Sequence, residues 1–310
     1  MRILVSGSLA YDRIMTFPGK FSDHILPDKI HILNVCFLVN GLTEKFGGTA
    51  GNIAYSLKLL GQEPVILATA GKDFAGYRGW LEKCGMTFEG IRQVEEEFTA
   101  GAYITTDQSD NQITGFNPGA MKFPCGYAVD GLDAADALAI VAPGNLDDMQ
   151  DYPRRYKARG IPFVLDPGQN IPAFSGDQLT EMLTGATYLI SNDYELELIQ
   201  NATGLTLADI LSRVGTLLTT LGEKGSIIRQ GGTELAIPPA RATVVKDPTG
   251  AGDAFRAGLL MGLAAGLPLD KAGRLGSVSA VYAVEHHGTQ EHAYAVPEFL
   301  ARYEENFGPL

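Results

Sequence analysis

The stretch of sequence that decides the fold is residues 247–258, DPTGAGDAFRAG. Its glycines Gly250 and Gly252 permit backbone angles that are closed to other residues and remove side chains that would shield the backbone. The apolar spacing that follows predicts a helix over residues 251–265, so the free N–H groups of the loop lie at the positive end of that helix. Such an end attracts phosphate oxygens, and we expect the carboxylate of Asp253 at the edge of this site.

A carboxylate beside an anion site is suited to phosphoryl transfer. The transferring group needs donors that stabilise its charge, and the hydroxyl that accepts it needs a base. Our hypothesis is therefore that the loop holds the phosphoryl group while Asp253 orients and deprotonates the acceptor. The alternative is that Asp253 is only the N-cap of the helix, a position that Asp often occupies.

Two further stretches are candidates for binding. GGTAGN, residues 47–52, runs from a loop into a predicted helix, so Asn52 would offer a donor and an acceptor to substrate hydroxyls. The alternative there is a tight connection between a strand and a helix. Asn192 and Glu195 follow a predicted strand and lie three residues apart at a helix start, where they are suited to hold Mg²⁺ directly or through water. The alternative for this pair is a capping box.

The rest of the chain predicts an α/β fold. Helical patterns at about 50–60, 74–83, 147–159, 178–183 and 194–200 alternate with short apolar runs, RILVSG, PVILATAG, DALAIVAPG, IPFVLDPG and TYLISND. Such runs are typical of buried parallel strands. Residues 11–45 and 98–122 break the alternation and predict a small β-layer apart from the main sheet, with a hairpin in the second region. Another antiparallel hairpin, in TLLTTLGEKGSIIRQGGTELAIPP, precedes two packed helices at about 251–265 and 270–284.

Composition limits the function classes. With 310 residues and 45% apolar side chains, the chain is long enough for one large core, and we find no repeat or linker, so we predict a single domain over 1–310. The formal charge of −12 argues against nucleic acid and anionic membranes as partners. No apolar stretch has the length of a membrane span or the form of a signal peptide, and the three cysteines lack metal-binding spacing. We expect a cytoplasmic protein.

Taken together, these motifs resemble the ribokinase-like (PfkB) carbohydrate and nucleoside kinase family over nearly the whole chain. GGTAGN and DPTGAGDAF match its two signatures, and Asn192-x-x-Glu195 and TLGEKGS lie between them in the same order. The resemblance implies a three-layer α/β/α sandwich with a mostly parallel central sheet and a β-sheet lid formed by about 11–45 and 98–122. It implies an ATP-dependent phosphotransferase with an alcohol group as acceptor.

Within the family, GSLAYDRIMTFPGKFSDHILPDKIH, NPGAM and GTQE are similar to bacterial adenosine kinases of the mycobacterial type. That similarity implies transfer of the γ-phosphate of ATP to the 5′-hydroxyl of adenosine, a purine-salvage reaction. One departure is Ala102, which stands among small residues where the similarity leads us to expect a second aromatic against the base.

The resemblance also implies roles for individual residues. Asp253 would be the base, and the anion hole would comprise Gly250, Ala251 and Gly252. The nucleoside would contact Ser8, Asp12, Gly48, Asn52, Phe116, Gln169 and Asn170. ATP would contact Asn192, Glu195, Thr220 and Gly222, with Asn192 and Glu195 also positioning Mg²⁺ through water. A monovalent cation such as K⁺ beside the anion hole and a homodimer formed through the lid are further properties of such kinases.

Three alternative functions follow from the same motifs. The first is a nucleoside kinase of broader specificity or a free-sugar kinase of the ribokinase or fructokinase type. The second is a nucleoside-sensing binding protein without catalysis, against which the presence of Asp253 argues, since a binder needs no base. The third is a Rossmann dehydrogenase, against which the lack of a GxGxxG fingerprint after the first strand argues.

Overall fold

The computed structural model describes residues 1–32 and 34–310. Its strands are β1 (Arg2–Ser6), β2 (Ala10–Thr16), β3 (Leu42–Gly47), β4 (Pro64–Gly71), β5 (Ile91–Val94), β6 (Ala100–Thr106), β7 (Gln112–Asn117), β8 (Ala137–Val141), β9 (Phe163–Leu165), β10 (Tyr188–Asn192), β11 (Thr216–Thr220), β12 (Ser226–Gln230) and β13 (Thr233–Ile237). Its helices are α1 (Thr49–Leu59), α2 (Ala75–Lys83), α3 (Leu146–Arg159), α4 (Gly176–Leu183), α5 (Asp193–Thr203), α6 (Leu207–Arg213), α7 (Ala251–Ala264), α8 (Leu269–Val284) and α9 (Val296–Phe307).

The main sheet has the strand order β13-β12-β11-β10-β9-β8-β1-β4-β5. The seven strands β11-β10-β9-β8-β1-β4-β5 pair in parallel with one another. At one edge, β12 pairs antiparallel with β11, and β13 pairs antiparallel with β12. The five apolar runs singled out in the sequence form β1, β4, β8, β9 and β10, as predicted. The predicted hairpin in residues 216–237 is also present, as β11, β12 and β13.

Side chains that alternate along β1 show why helices cover both faces of this sheet. Ile3 and Val5 join a core cluster with α1, α2, α7, α8 and α9, whereas Leu4 joins a second cluster with α3, α4, α5 and α6. Both faces of the strand are thus buried, which is why the strands read as continuous apolar runs. The result is the expected arrangement of three layers, helices on each side of a mostly parallel sheet.

A second, four-stranded sheet has the order β3-β2-β6-β7. Its strands come from the two regions that break the α/β alternation, and the hairpin predicted in the second region is β6 and β7. Strand β2 pairs parallel with β6, and the other two pairs are antiparallel. Strand β7 is exposed along its whole length. We call this second sheet the lid sheet.

The sequence analysis missed β5 and two helices, α6 and α9. Thr206 begins α6 with a capping box to Asp209, a local signal that the pattern TLAD already carries. Helix α9 starts with Pro297 in its first turn and buries Phe299 and Tyr303, which lie four residues apart on one face. Both signals were therefore available in the sequence. Among the described residues, no helix combines the length and apolar character that crossing a bilayer requires.

Candidate active site

Two cavities open where the parallel strands of the main sheet end at their carboxyl side, the usual ligand site of open α/β sheets. The first has a volume of about 360 Å³ and is lined from the ends of β9, β10 and β11 and the start of α7. The second, of about 410 Å³, extends from the end of β1 and the start of α1 to the lid sheet. The wall common to both comprises Thr49, Pro143, Gln169, Gly250 and Asp253.

The loop before α7 turns sharply to reach this wall. Asp247 accepts hydrogen bonds from the backbone N–H of Thr249 at 2.9 Å and of Gly288 at 3.0 Å. Gly250 has a φ of 80°, in the left-handed region, and is the N-cap of α7. Asp253 therefore lies in the first helical turn, so the alternative that it is merely the N-cap is wrong. Its side chain is left to face the two cavities at the positive end of the helix.

Asp253 is held and electrostatically tuned by its neighbours. Its Oδ2 accepts a hydrogen bond from Nδ2 of Asn52 at 2.8 Å. Burial raises the pKa of Asp253 to about 6, although the Arg256 charge and the Asn52 bond oppose that rise, and Asp166 adds to it. A carboxyl with a pKa near 6 is mostly ionised at neutral pH and is still a better proton acceptor than an ordinary Asp. This is the property that a general base requires.

A buried ion pair that the sequence analysis did not single out lies beneath the loop. Arg256 and Asp166 are only 8% and 2% exposed, and Nη2 of Arg256 donates to Oδ1 of Asp166 at 2.8 Å, while Nε donates to Oδ2. Nη1 of Arg256 also donates to the carbonyl of Gly252 at 2.9 Å. Burial disfavours the charged guanidinium, but the Asp166 carboxylate outweighs it and raises the pKa of Arg256. Both residues line the first cavity, so the guanidinium lies at this cavity paired with the Asp166 carboxylate.

Residues predicted to contact the nucleoside line the second cavity. Phe116, 54% exposed on β7, faces it from the lid sheet, and Asp12 faces it from β2. Burial raises the pKa of Asp12, with Lys45 opposing. Gln169 is exposed at the shared wall, whereas Nδ2 of Asn170 already donates to the carbonyl of Gly144 at 3.1 Å. Asn170 thus offers chiefly its oxygen to a ligand.

Ser8 and Gly48 shape the second cavity in a more structural way. The Ser8 hydroxyl accepts a hydrogen bond from the Thr49 N–H at 3.0 Å, which satisfies a free donor at the start of α1. The Thr49 hydroxyl in turn donates to the carbonyl of Pro143 at 2.6 Å, which ties α1 to the loop after β8. Ser8 and Gly48 thereby fix the position of α1, and Asn52 one turn further on.

Asn192 and Glu195 make the reciprocal contacts of a capping box. The Glu195 N–H donates to Oδ1 of Asn192 at 2.7 Å, and the Asn192 N–H donates to Oε2 of Glu195 at 2.8 Å. The capping alternative therefore describes their mutual contacts correctly. Both side chains also line the first cavity, together with Thr220 and Gly222 at the end of β11. Burial raises the pKa of Glu195, as does the charge of Asp166, so this carboxylate lies in a site that would favour a nearby cation.

The structure brings all but one of the predicted site residues to these cavities. The exception is Ala251, which lies in the loop but lines neither cavity, and whose N–H donates to the carbonyl of Pro248 at 3.2 Å. The backbone N–H groups that could bind a phosphate are therefore expected to come from other residues of the loop. Ala102 is paired in register with both Asp12 and Phe116, so the small side chain lies between two predicted contacts of the nucleoside.

Two cavities meet at the N-terminus of α7 and at the Asp253 carboxylate, whose pKa is raised. Phosphotransferases need this combination of an anion site and a base between two ligands. Comparison with known proteins agrees with this. The model of the pfkB family of carbohydrate kinases matches residues 19–295. The chain belongs to the pfkB family of carbohydrate kinases.

Solved structures of relatives cover almost the entire chain. The nucleoside kinase of Burkholderia thailandensis in ligand-free form is 42% identical, with a TM-score of 0.87 over 97% of this chain and 100% of that one. Its complex with inosine is 41% identical, with a TM-score of 0.85 over 99% and 98%. The solved structure of the Methanocaldococcus jannaschii nucleoside kinase, an archaeal member of the ribokinase family, is 29% identical, with a TM-score of 0.86 over 98% of this chain and 98% of that one. By sequence alone, the nucleoside kinase of the same organism is 32% identical over 281 residues, which span 88% of this chain and 90% of the relative.

These likenesses confirm the ribokinase-like fold that the sequence predicts. They do not single out the adenosine kinases of the mycobacterial type, because the relatives carry the broader name of nucleoside kinase. The family of the chain is thus established, whereas which hydroxyl compound accepts the phosphoryl group depends on the second cavity.

Proposed function

We propose that this protein is a nucleoside kinase that transfers the γ-phosphate of ATP to the 5′-hydroxyl of purine nucleosides, with adenosine among its substrates. The observation that supports this most strongly is the position of Asp253, whose carboxylate belongs to the wall shared by the two cavities. ATP in the first cavity and a nucleoside in the second would meet at this carboxylate and at the N-terminus of α7. Two relatives with the name nucleoside kinase, at 42% and 32% identity, support the same acceptor class.

The proposed phosphoryl transfer follows from the residues at the wall shared by the two cavities. The nucleoside 5′-oxygen forms a bond to the γ-phosphorus as the bond from that phosphorus to the bridging oxygen of ADP breaks. The proton of the 5′-hydroxyl passes to the Asp253 carboxylate, which lies between the two cavities. N–H groups of the loop around Gly250 and Gly252, with the Arg256 charge behind them, stabilise the charge on the transferring phosphoryl group. Closure of the lid sheet would exclude water that could otherwise accept the phosphoryl group.

We assign ATP to the first cavity, with Thr220 and Gly222 beside its nucleoside part and Asn192 and Glu195 beside its phosphates. Mg²⁺ fits this site through water. The capping box uses Oε2 of Glu195 and one lone pair of Oδ1 of Asn192. Oε1 of Glu195 and the second lone pair of Oδ1 of Asn192 are the hard oxygen donors left for Mg²⁺ or its bound water. No group of three acidic, His or Cys side chains suited to a metal occurs in residues 1–32 and 34–310, so phosphates and water would supply the other ligands. When bound, Mg²⁺ would neutralise phosphate charge.

Two implied properties stay predictions. K⁺ beside the loop would need carbonyl oxygens of the segment before Thr289, and Nζ of Lys45 already donates to one of them, that of His287, at 3.0 Å. A homodimer through the lid sheet would cover the exposed β7, whose apolar side chains Ile113 and Phe116 are 46% and 54% exposed. Edge strands of this kind are suited to pairing with a second chain.

The lid sheet argues for purine nucleosides in general rather than for adenosine alone. Phe116 can stack on one face of a base, while Ala102, paired opposite it, supplies no second ring. Stacking recognises the π-face of a base and tolerates different substituents. The exposed amide of Gln169 carries both a donor and an acceptor, so it can face a 6-amino or a 6-oxo group. The relative solved with inosine is consistent with this. Strict adenosine kinase activity is the second candidate, supported by the segments around GSLAYDR and GTQE.

The specificity prediction is that adenosine and inosine are phosphorylated with kcat/KM values within about tenfold of each other, and free ribose at least about 100-fold less well. Guanosine, cytidine and fructose complete the panel, assayed at matched concentrations with Mg²⁺ and ATP. Ala102→Phe, which adds a second ring, is expected to favour one base over the others. A preference for adenosine above about 100-fold would establish the second candidate, and a preference for ribose would refute nucleoside kinase activity.

The pH dependence is set by the raised pKa of Asp253. Because the base acts as a carboxylate, activity should be full above its pKa and fall as the pH drops through about 6. Arg256 lowers that pKa and Asp166 raises it, so the value reflects the whole cluster. The measurement is kcat/KM for the nucleoside between pH 4.5 and about 8 at saturating ATP, with about tenfold loss per pH unit expected on the acid side. A constant kcat/KM down to about pH 5 would contradict the assignment of Asp253 as base.

A further inference from the structure

A chain of hydrogen bonds, buried at its centre, leads from the only tryptophan of the protein to Asp253. Nε1 of Trp80, on α2, donates to Oε1 of Gln290 at 2.7 Å. Nε2 of Gln290 donates to Oδ1 of Asn52 at 3.0 Å, and Nδ2 of Asn52 donates to Oδ2 of Asp253 at 2.8 Å. We call these four residues the amide relay. Its hydrogen bonds connect four elements in turn: α2, then the segment that follows α8, then α1, and finally α7.

The two ends of the amide relay enforce the same polarity. An indole N–H can only donate, so the oxygen of Gln290 must face Trp80 and its NH₂ group must face Asn52. An ionised carboxylate can only accept, so the NH₂ group of Asn52 must face Asp253 and its oxygen must face Gln290. Each amide can therefore satisfy its neighbours in only one orientation. The relay as a whole is matched to Asp253 in its ionised form.

Burial makes this orientation strict. Gln290 and Asn52 are only 4% and 5% exposed, so water is largely kept from replacing a lost partner. Nε2 of Gln290 has a second acceptor, the hydroxyl of Tyr77 at 2.8 Å, which itself donates to the carbonyl of Gly47 at 2.7 Å. Gly51 makes room for these groups, because a Cβ atom there would collide with the Tyr77 hydroxyl and lie 3.1 Å from Nε2 of Gln290.

We propose that Gln290 is a positioning residue for phosphoryl transfer, which sets the amide of Asn52 so that Oδ2 of Asp253 is held and Oδ1 is directed to the acceptor hydroxyl. This rests on the proposed function of Asp253 as the base. Within residues 1–32 and 34–310, the Asn52 bond is the only side-chain hydrogen bond of that carboxylate. The oxygen of Asn52 is already used by Gln290, so Asn52 offers the substrate a donor rather than both a donor and an acceptor.

Two substitutions at position 290 test the polarity rather than the bulk of the side chain. Gln290→Met keeps the length and removes all hydrogen bonds, so Asn52 is free to turn. We expect kcat to fall about 10- to 100-fold, while KM for ATP stays within about threefold. Gln290→Glu keeps the shape but, when ionised, presents only acceptors to Asn52, so the NH₂ group of Asn52 turns away from Asp253. We expect a kcat loss at least as large as that of Gln290→Met, although Gln290→Glu is the closer isostere.

A matched control separates positioning from stability. Ser277 is buried and accepts a hydrogen bond from the Ala240 N–H at 2.7 Å, away from both cavities. Ser277→Ala should lower the thermal midpoint, as Gln290→Met does, and leave kcat within about twofold. Trp80→Phe keeps an aromatic ring and removes the N–H donor that starts the relay, so we expect a smaller kcat loss of about two- to tenfold.

The outcomes distinguish the relay from the base itself. If Asp253→Asn is inactive and both Gln290 variants retain wild-type kcat in the folded state, the relay proposal is refuted and the proposed function stands. If Gln290→Met and Ser277→Ala lose activity in proportion to their loss of stability, Gln290 is structural only and the proposal is also refuted. If Asp253→Asn retains its activity, the proposed function itself fails.

Discussion

Asp253→Asn is expected to lower kcat by about 10³-fold or more, while KM for ATP and for the nucleoside stays within about threefold. The amide has the shape of the carboxylate and can still accept the hydrogen bond from Asn52, so both cavities should keep their form. What it lacks is the capacity to take the proton of the 5′-hydroxyl. The measurement is steady-state kinetics with adenosine or inosine, after the folded state of the variant has been verified.

Stability provides the control for this variant. The folded-state pKa of Asp253, about 6, lies above its ordinary value of 3.8, so this group reduces the stability of the fold as the pH rises through that window. At pH 7 a neutral Asn at this position does not have the free-energy cost of a buried, ionised carboxylate. The free energy of unfolding of Asp253→Asn should therefore equal or exceed that of the wild type. A variant that is stable and retains more than about a tenth of kcat would contradict the role of Asp253 as base.

Arg256→Met is expected to give the largest loss of stability, about 3–5 kcal/mol in the free energy of unfolding. The substitution leaves the carboxylate of Asp166, only 2% exposed, without its ion-pair partner. It also removes the positive charge that lowers the pKa of Asp253, so the residual activity should have its acid limb at a higher pH. Urea unfolding at pH 7 and the pH profile of kcat/KM measure the two effects.

The double variant Asp166→Leu with Arg256→Met is the matched control. Replacing both members of a buried pair with apolar side chains often restores stability, since no charge is then left without a partner. We expect the double variant to recover most of the lost free energy of unfolding and little of the lost activity, because the charge behind the loop is still missing. Full recovery of kcat would show that Arg256 serves only the fold.

Strands, and the glycine loops that precede helices, could be predicted because their signals lie in short stretches of sequence. The apolar runs that became β1, β4, β8, β9 and β10 are buried on both faces, and the glycine loops precede helices α1 and α7, so pattern and structure agree. The glycine loop indicated that Asp253 lies at a helix N-terminus, and Asn192 was expected directly after a strand. Both side chains line the first cavity, so these two expectations needed no knowledge of long-range contacts.

Contacts between distant parts of the chain were beyond such reasoning. Arg256 and Asp166 are 90 positions apart, and Trp80 and Gln290 are 210 apart, so no local pattern joins them. The sequence also could not show that the Ser8 hydroxyl accepts a hydrogen bond from the Thr49 N–H, 41 positions further along the chain. Each of these residues lines or supports the site, but its particular hydrogen bond depends on how the layers of the fold pack together.

The most direct test of the account is identification of the product. The protein is incubated with Mg²⁺, ATP and adenosine or inosine, and the mixture is resolved by chromatography with mass detection and ³¹P NMR. We predict a nucleoside 5′-monophosphate formed in equal amount with ADP, and neither product above background with Asp253→Asn. ADP formed without a nucleoside monophosphate would contradict the proposed function.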